Sequence, residues 1–232
     1  MTFPQRSLTG KYALGMVEPR EEFERQLEGI EAKVIELFAM VAEDLPRATQ
    51  ALLNGDNDVL GVLMEREHII DTLYPEIEEL VNREIVLQAP VAVDLRFLLS
   101  VLRIVPELER SHDLVMSIAS SASHSLSGVL SARTRGLVER MGELSAAMWR
   151  QAADAWYQRD RSAAFALSER DEEIDELHAS LMAELASGGM GVPVAMEMAL
   201  VARDYERLGA HAVNIARRVV YLAGSAELPP AS

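Results

Sequence analysis

The sequence predicts an all-α protein of six helices, built as two tandem, repeat-related three-helix bundles. Two local observations and one global one predict it. Strand signals are nearly missing: aromatic content is 5% and no stretch alternates apolar and polar residues for long. Apolar residues recur at helical spacing along almost the whole chain. The two halves also resemble each other, at two offsets that keep the helical faces nearly in phase.

The first helix opens at Pro19-Arg-Glu-Glu, with proline and acids in its first turn, and ends at Asn54-Gly55-Asp56. Pro46 is expected to kink it. The second runs from about Asp58 to Gln88 and stops before Pro90; the third spans about Val91 to Ser123, with a bend expected at Pro106. A serine-rich stretch, Ser120 to Gly128, separates the halves. The fourth helix covers about Ser131 to Gln158 and the fifth about Arg161 to Ala186. Gly188-Gly-Met-Gly-Val-Pro193 then breaks the chain before a sixth helix that ends near Gly224. The expected organisation is an N-terminal extension over 1–18, loosely ordered, a first repeat over 19–125, a second over 126–224 and a tail over 225–232.

An offset of 104 residues carries Asp56 onto Asp160, Leu63 onto Leu167, Glu67 onto Asp171, Ile70 onto Ile174 and Asp71 onto Asp175. Further on, an offset of 97 carries Glu109-Arg110 onto Glu206-Arg207 and Ile118-Ala119 onto Ile215-Ala216. The two offsets differ by seven residues, or about two helical turns, which leaves the faces nearly in phase. Amphipathic helices match apolar positions by chance; they match acids and a Glu-Arg pair less easily.

Composition removes several function classes. Cysteine is absent, so there are no disulfides, thiolate metal sites or cysteine nucleophiles. The formal net charge of −15 opposes binding to nucleic acid or to anionic lipid, and suits a cation or a partner with a basic face. Met1 to Val17 contains no apolar leader, and the richest apolar run, Phe97 to Val105, is short and interrupted by Arg103. The expected location is therefore cytoplasmic. No nucleophile–base pair, phosphate-binding glycine loop or dinucleotide fingerprint is seen, so the chain does not read as an enzyme.

The inner seams carry acids where apolar residues belong. The second helix reads Leu60, Leu63, Glu67, Ile70, Tyr74, Ile77, and the fifth repeats the exception as Leu167, Asp171, Ile174. The third has Glu109 after Leu102 and Val105, and the sixth has Glu206 after Ala199 and Ala202. Glu67/Asp71, Glu109/Asp113 and Asp171/Asp175 each place two carboxylates one turn apart on one face. Such pairs repel unless a cation lies between them, and oxygen donors suit hard or borderline cations such as iron, manganese, magnesium or calcium. The competing reading makes them edge acids paired with Arg103, Arg110, Arg203 or Arg207. Histidine adds an alternative: Glu65/His68, Glu109/His112 and Asp175/His178 have the spacing of carboxylate-bridged di-iron proteins, enzyme or storage.

The segments Glu67-His-Ile-Ile-Asp71, Leu87-Gln-Ala-Pro-Val-Ala-Val-Asp-Leu-Arg96 and Leu102 to Asp113 resemble those of the PhoU family of phosphate-signalling regulators. Asp171-Glu-Glu-Ile-Asp175 and Tyr205 to Ala216 look like their repeats, and the resemblance runs from about Glu22 to Gly224. It implies a metal cluster in each bundle. The first would be held by Glu67, Asp71, Glu109 and Asp113, the second by Asp171, Asp175 and Glu206. Ala210 stands where the family has an aspartate, and Ser111-His112 replaces the usual Ile-Gly. The resemblance further implies a negative regulator of phosphate uptake and starvation signalling, an adaptor between a phosphate ABC transporter ATPase and a sensor histidine kinase. It also implies a homodimer that meets the membrane only through its partners. A PhoU-like regulator of a different transporter is the nearest variant.

Overall fold

The computed structural model describes residues 19–124 and 128–224; the expected loose extension and tail, and the centre of the serine-rich link, lie outside the described residues. Six helices follow: α1 Pro19–Asn54, α2 Asp58–Gln88, α3 Ala92–Ser120, α4 Ala132–Gln158, α5 Ala163–Ala186 and α6 Val192–Leu222, with a 3-10 turn at Ser121–His124 after α3. No strand occurs among the described residues. Each helix falls where its punctuation places it.

The repeat offset survives as geometry. Gly55 and Arg159, 104 residues apart, both adopt a left-handed backbone, with φ of 70° and 57°. Asp56 Oδ1 accepts from the Asp58 amide at 3.0 Å, and Asp160 Oδ1 accepts from the Ser162 amide at 2.8 Å, so the same side-chain turn starts α2 and α5. Glycine takes the left-handed conformation at no steric cost. Arg159 is held there by its guanidinium, which donates to Trp156 O and Glu31 Oε1, both at 2.6 Å, and lies over the Trp156 ring.

The sequence foresees bends at Pro46 and Pro106; each lies inside a continuous helix, and Pro75 does the same in α2. A proline removes one i to i−4 hydrogen bond, and tertiary packing of these long amphipathic faces outweighs the loss.

Within each half the three helices pack on one another, and the halves join through α1 against α4 and α3 against α6. Buried residues from all six helices form one continuous hydrophobic core. The two triples are thus repeats in sequence but share their interior. α2 and α5 pack chiefly within their own triples and carry the outer faces.

The α1–α4 crossing is close because Gly142 has no side chain. A Cβ there would stand 2.5 Å from both Cγ2 and Oγ1 of Thr49, which is buried and hydrogen-bonded to Tyr205 Oη at 2.7 Å. Alanine at a helix interior gains about 1 kcal/mol in propensity over glycine. Overpacking a stiff β-branched neighbour costs about 1–3 kcal/mol, and displacing Thr49 adds about 1 kcal/mol for the lost bond. Gly142→Ala is therefore expected to lower stability by about 1–3 kcal/mol. Urea denaturation checks this, and an unchanged or raised midpoint would mean the helices separate at little cost.

Candidate functional site

α2 and α3 of the first triple bring acids together from two helices. The heptad register that buries Leu63, Ile70, Leu98 and Val105 carries Glu67 and Glu109 to the edge of the same seam, where both are half-buried; Asp71 and Asp113, one turn on, are exposed. Burial holds the Glu109 carboxyl above its usual range, and the charges of Asp113 and Asp71 add to this while Arg110 opposes it. Asp113 is raised likewise by burial and by Asp71, against the pull of His112. Three of the four expected ligands therefore act on one another across the α2–α3 seam.

In the second triple, burial raises Asp171, and Asp175 and Glu206 add to the effect while Arg217 opposes it. All three expected acids again share one neighbourhood. Gly209 makes this possible: a Cβ there would stand 2.7 Å from Asp171 Oδ1, so the carboxylate sits directly on the α6 backbone. Glu206 is in an ion pair with Arg203, and Ala210 is exposed.

His112 occupies in the first triple the place that Gly209 holds in the second, 97 residues later. It is 1% exposed, and its Nε2 lies 3.3 Å from Asp44 Oδ2 on α1. Asp44 is fully buried, and its Oδ1 also meets Arg47 at 3.1 Å and Arg66 at 3.0 Å. In the second triple Met148, 104 residues beyond Asp44, would lie 3.7 Å from a Gly209 Cβ. A buried ionic cluster thus replaces a methionine–glycine contact. The Glu109/His112 spacing offers His112 as a nitrogen ligand; its Nε2 faces Asp44, and its Nδ1 is buried without a hydrogen-bond partner.

The seam of α1 reads Val34, Leu37, Val41, Asp44, Ala48, so the signal that marks Glu67 and Glu109 also marks Asp44. Of the arginines weighed as partners for the acids, Arg203 does pair with Glu206, whereas Arg103 and Arg110 make no ion pair among the described residues. Of the acid–histidine spacings, Glu65 and His68 are both exposed on α2, and Asp175 is exposed with His178 half-buried on α5.

The donor set, all carboxylate oxygen with mutual repulsion, fits a hard divalent cation better than it fits solvent. Glu109 and Asp113, with Asp71 facing them, would hold it in the first triple, and Asp171, Asp175 and Glu206 in the second. Among the described residues no group of three or more His, Asp or Glu stands gathered about one point. Like charges hold the carboxylates apart.

The raised pKa of Glu109 has a testable sign. The folded state holds this proton to higher pH than the unfolded state does, so stability falls as pH rises from the ordinary carboxylate range, about 4.5, through the folded value. His211 acts oppositely: burial lowers its pKa, so it loses stability as pH falls below about 6.5. Subtraction isolates Glu109. In a chelating buffer at pH 7, Glu109→Gln is expected to melt above the wild type, with the gap closing toward pH 4.5. A gap independent of pH would place the effect in packing instead.

A family model described as the PhoU domain matches residues 34–122 and 138–219, one match in each triple. The chain is 29% identical over 211 residues to the phosphate-specific transport system accessory protein PhoU homolog of Zymomonas mobilis, covering 89% of each chain. It is 30% identical over 210 residues to PhoU homolog 2 of Mycobacterium tuberculosis, covering 89% of this chain and 99% of that one. Crystal structures of PhoU from Pseudomonas aeruginosa and from Streptococcus pneumoniae superpose with TM-scores of 0.80 and 0.79, each at 26% identity. They are aligned over 86% and 87% of this chain and 98% and 97% of theirs.

Proposed function

The chain belongs to the PhoU family, and from that premise we propose that it is a non-catalytic regulator of phosphate uptake and phosphate-starvation signalling. It acts as an adaptor between a phosphate ABC transporter ATPase and a sensor histidine kinase. Among the described residues no helix is long and apolar enough to cross a membrane, so contact with the bilayer runs through those partners.

The observation that carries the adaptor reading is the apolar tip of the α2–α3 hairpin. Val86, Leu87 and Val91 are 79%, 68% and 74% exposed at a turn that a chain of net charge −15 has every reason to keep polar. Ala89 and Ala92 flank Pro90 with φ of 45° and 50°, a left-handed backbone that alanine adopts only when its surroundings enforce it. A stiff, apolar, solvent-facing turn fits insertion into a partner's groove. The carboxylate group lies 15 or more residues down the hairpin, about 20–25 Å from the tip, and serves as a divalent-cation site that braces α2 against α3. Iron, manganese or magnesium each suit its donors.

The test is cross-linking of the native protein in cells grown with ample phosphate, followed by isolation and identification of what is attached. A transporter ATPase or a sensor kinase, abundant in high phosphate and reduced in low phosphate, is the expected result. Val91→Glu is expected to abolish that recovery while leaving the helical signal intact. Recovery of the chain alone, loaded with iron, would overturn the adaptor reading in favour of an iron protein.

A further inference from the structure

In a strongly acidic protein, four guanidinium groups gather in one groove. Arg103 and Arg110 on α3, with Arg217 and Arg218 on α6, line a cleft of ≈ 490 Å³ at the seam that joins the two triples. The volume is that of a small-molecule site, roughly 300–1,000 Å³. Among the described residues none of the four is in an ion pair, although acids outnumber bases 37 to 22 in the chain. Arg110 Nε donates to Pro106 O at 3.0 Å, and Arg218 stacks over the Tyr221 ring at 5.1 Å, so two of the four are already oriented. The one carboxylate in the lining, Glu107, turns to His211, with Oε2 3.6 Å from Nε2.

That arrangement needs an explanation, because unpaired arginines beside carboxylate-rich helices would ordinarily find partners. The packing keeps them apart: Arg103 and Arg110 are two turns apart on one face of α3, about 10 Å along the axis. Of the clustered acids, Glu67, Asp71, Asp171 and Asp175 lie on the outer helices, and Arg110 and Arg217 act on Glu109 and Asp171 through their charge without forming an ion pair. Physiological salt screens charges beyond about 8 Å, so a ligand inside the cleft meets the local guanidiniums rather than the net charge of the molecule.

We propose that this cleft is an anion site for a ligand with adjacent phosphate groups, a diphosphate, either inorganic or carried on a nucleoside. Guanidinium forks match phosphate oxygens bidentately, which a tetrahedral oxyanion exploits better than a planar carboxylate array does. Four guanidinium groups along a cleft about 10 Å long offer more charge and more donors than one phosphate uses, which suits two. Leu102 and Tyr221 extend the cleft toward α2, where Glu78 and Asn82 close it, and offer apolar surface and hydrogen-bonding edges for a base. The site is formed from both triples, so its occupancy ties the α3–α6 seam together. It does not depend on the carboxylate group.

Calorimetric titration of the full chain tests it, with pyrophosphate, a nucleoside diphosphate and inorganic phosphate as probes, and sulfate at matched ionic strength as the reference. Pyrophosphate and the nucleoside diphosphate are expected to bind at least tenfold more tightly than phosphate or sulfate. Arg103→Gln and Arg218→Gln, each checked for an unchanged helical signal, are expected to weaken that binding at least tenfold. Arg83→Gln, on α2 outside the cleft lining and paired with Glu79, serves as the control and is expected to leave it unchanged. A nucleoside diphosphate that binds more tightly than pyrophosphate identifies the nucleotide source, and equal affinities identify the inorganic one. Absence of binding by both diphosphates, equal binding of sulfate, or indifference to both substitutions would overturn the proposal.

Discussion

Asp44→Ala is expected to cost the protein about 3–5 kcal/mol, the usual consequence of removing one partner from a buried ionic cluster. For a chain of this size that corresponds to a fall of roughly 6–20 °C in melting temperature. Asp44 has no exposed surface, and His112, Arg47 and Arg66 all converge on its two oxygens. Removing it leaves the buried His112 imidazole without its acceptor and Arg66 with Glu43 alone, and it opens a small cavity in the α1–α3 contact. Replacing the whole cluster is a different matter, because well-packed apolar residues of similar volume often match or exceed a buried ion pair. The second triple shows the apolar solution, with Met148 at the place of Asp44 and Gly209 at the place of His112. Asp44→Met combined with His112→Ala is therefore expected to recover most of the loss, and the deviation from additivity measures the coupling. A loss below 1 kcal/mol for Asp44→Ala, by urea denaturation, would show that water reaches the cluster and relieves it.

The helices and their repeat were readable because each rests on local chemistry. Apolar residues at 3.6 spacing, Asn54-Gly55-Asp56 and Gly188 to Pro193 act within a few residues of themselves. The carboxylate pairs were readable for the same reason, since residues four apart share a helical face whatever the fold. What stayed hidden depends on which helix meets which. The seam of α3 against α6 decides that Arg103 faces Arg218 and not Glu109, and nothing in either segment alone contains that information. His112 shows both cases at once. Its departure from the usual glycine was visible, but its partner lies on α1, 68 residues earlier, where Asp44 sits unnoticed in an otherwise apolar seam. Pro46 and Pro106 show local preference and packing meeting: each proline removes a helical hydrogen bond, and burial of long helical faces keeps the helix continuous through it.

Divalent-cation binding is expected to fall at least tenfold in Glu109→Ala, and by less in Glu206→Ala; loss of an outer-shell partner alone typically costs about 10–100-fold. The two residues are repeat equivalents, so the difference must come from their surroundings. Around Glu109 the charges of Asp71 and Asp113 add to burial in raising its proton affinity, and the energy of that repulsion is released when a cation takes the proton's place. Around Glu206 the corresponding position is Ala210, and Arg203 already supplies a positive charge. The second group therefore has fewer donors and less repulsion to relieve. Manganese titration of the two variants beside the wild type reads the ranking directly, and hydrogen exchange with and without chelator locates it. Chelation is expected to expose amides of α2 and α3 more than those of α5 and α6. The reverse ranking would make the second triple the working site, and identical exchange in both halves would remove the cation from the account of how α2 is braced against α3. Because the two triples share one core, a cation bound at the α2–α3 seam stiffens the helix that also forms one wall of the arginine cleft. Glu109→Ala should then change exchange at the α3–α6 seam as well as at its own.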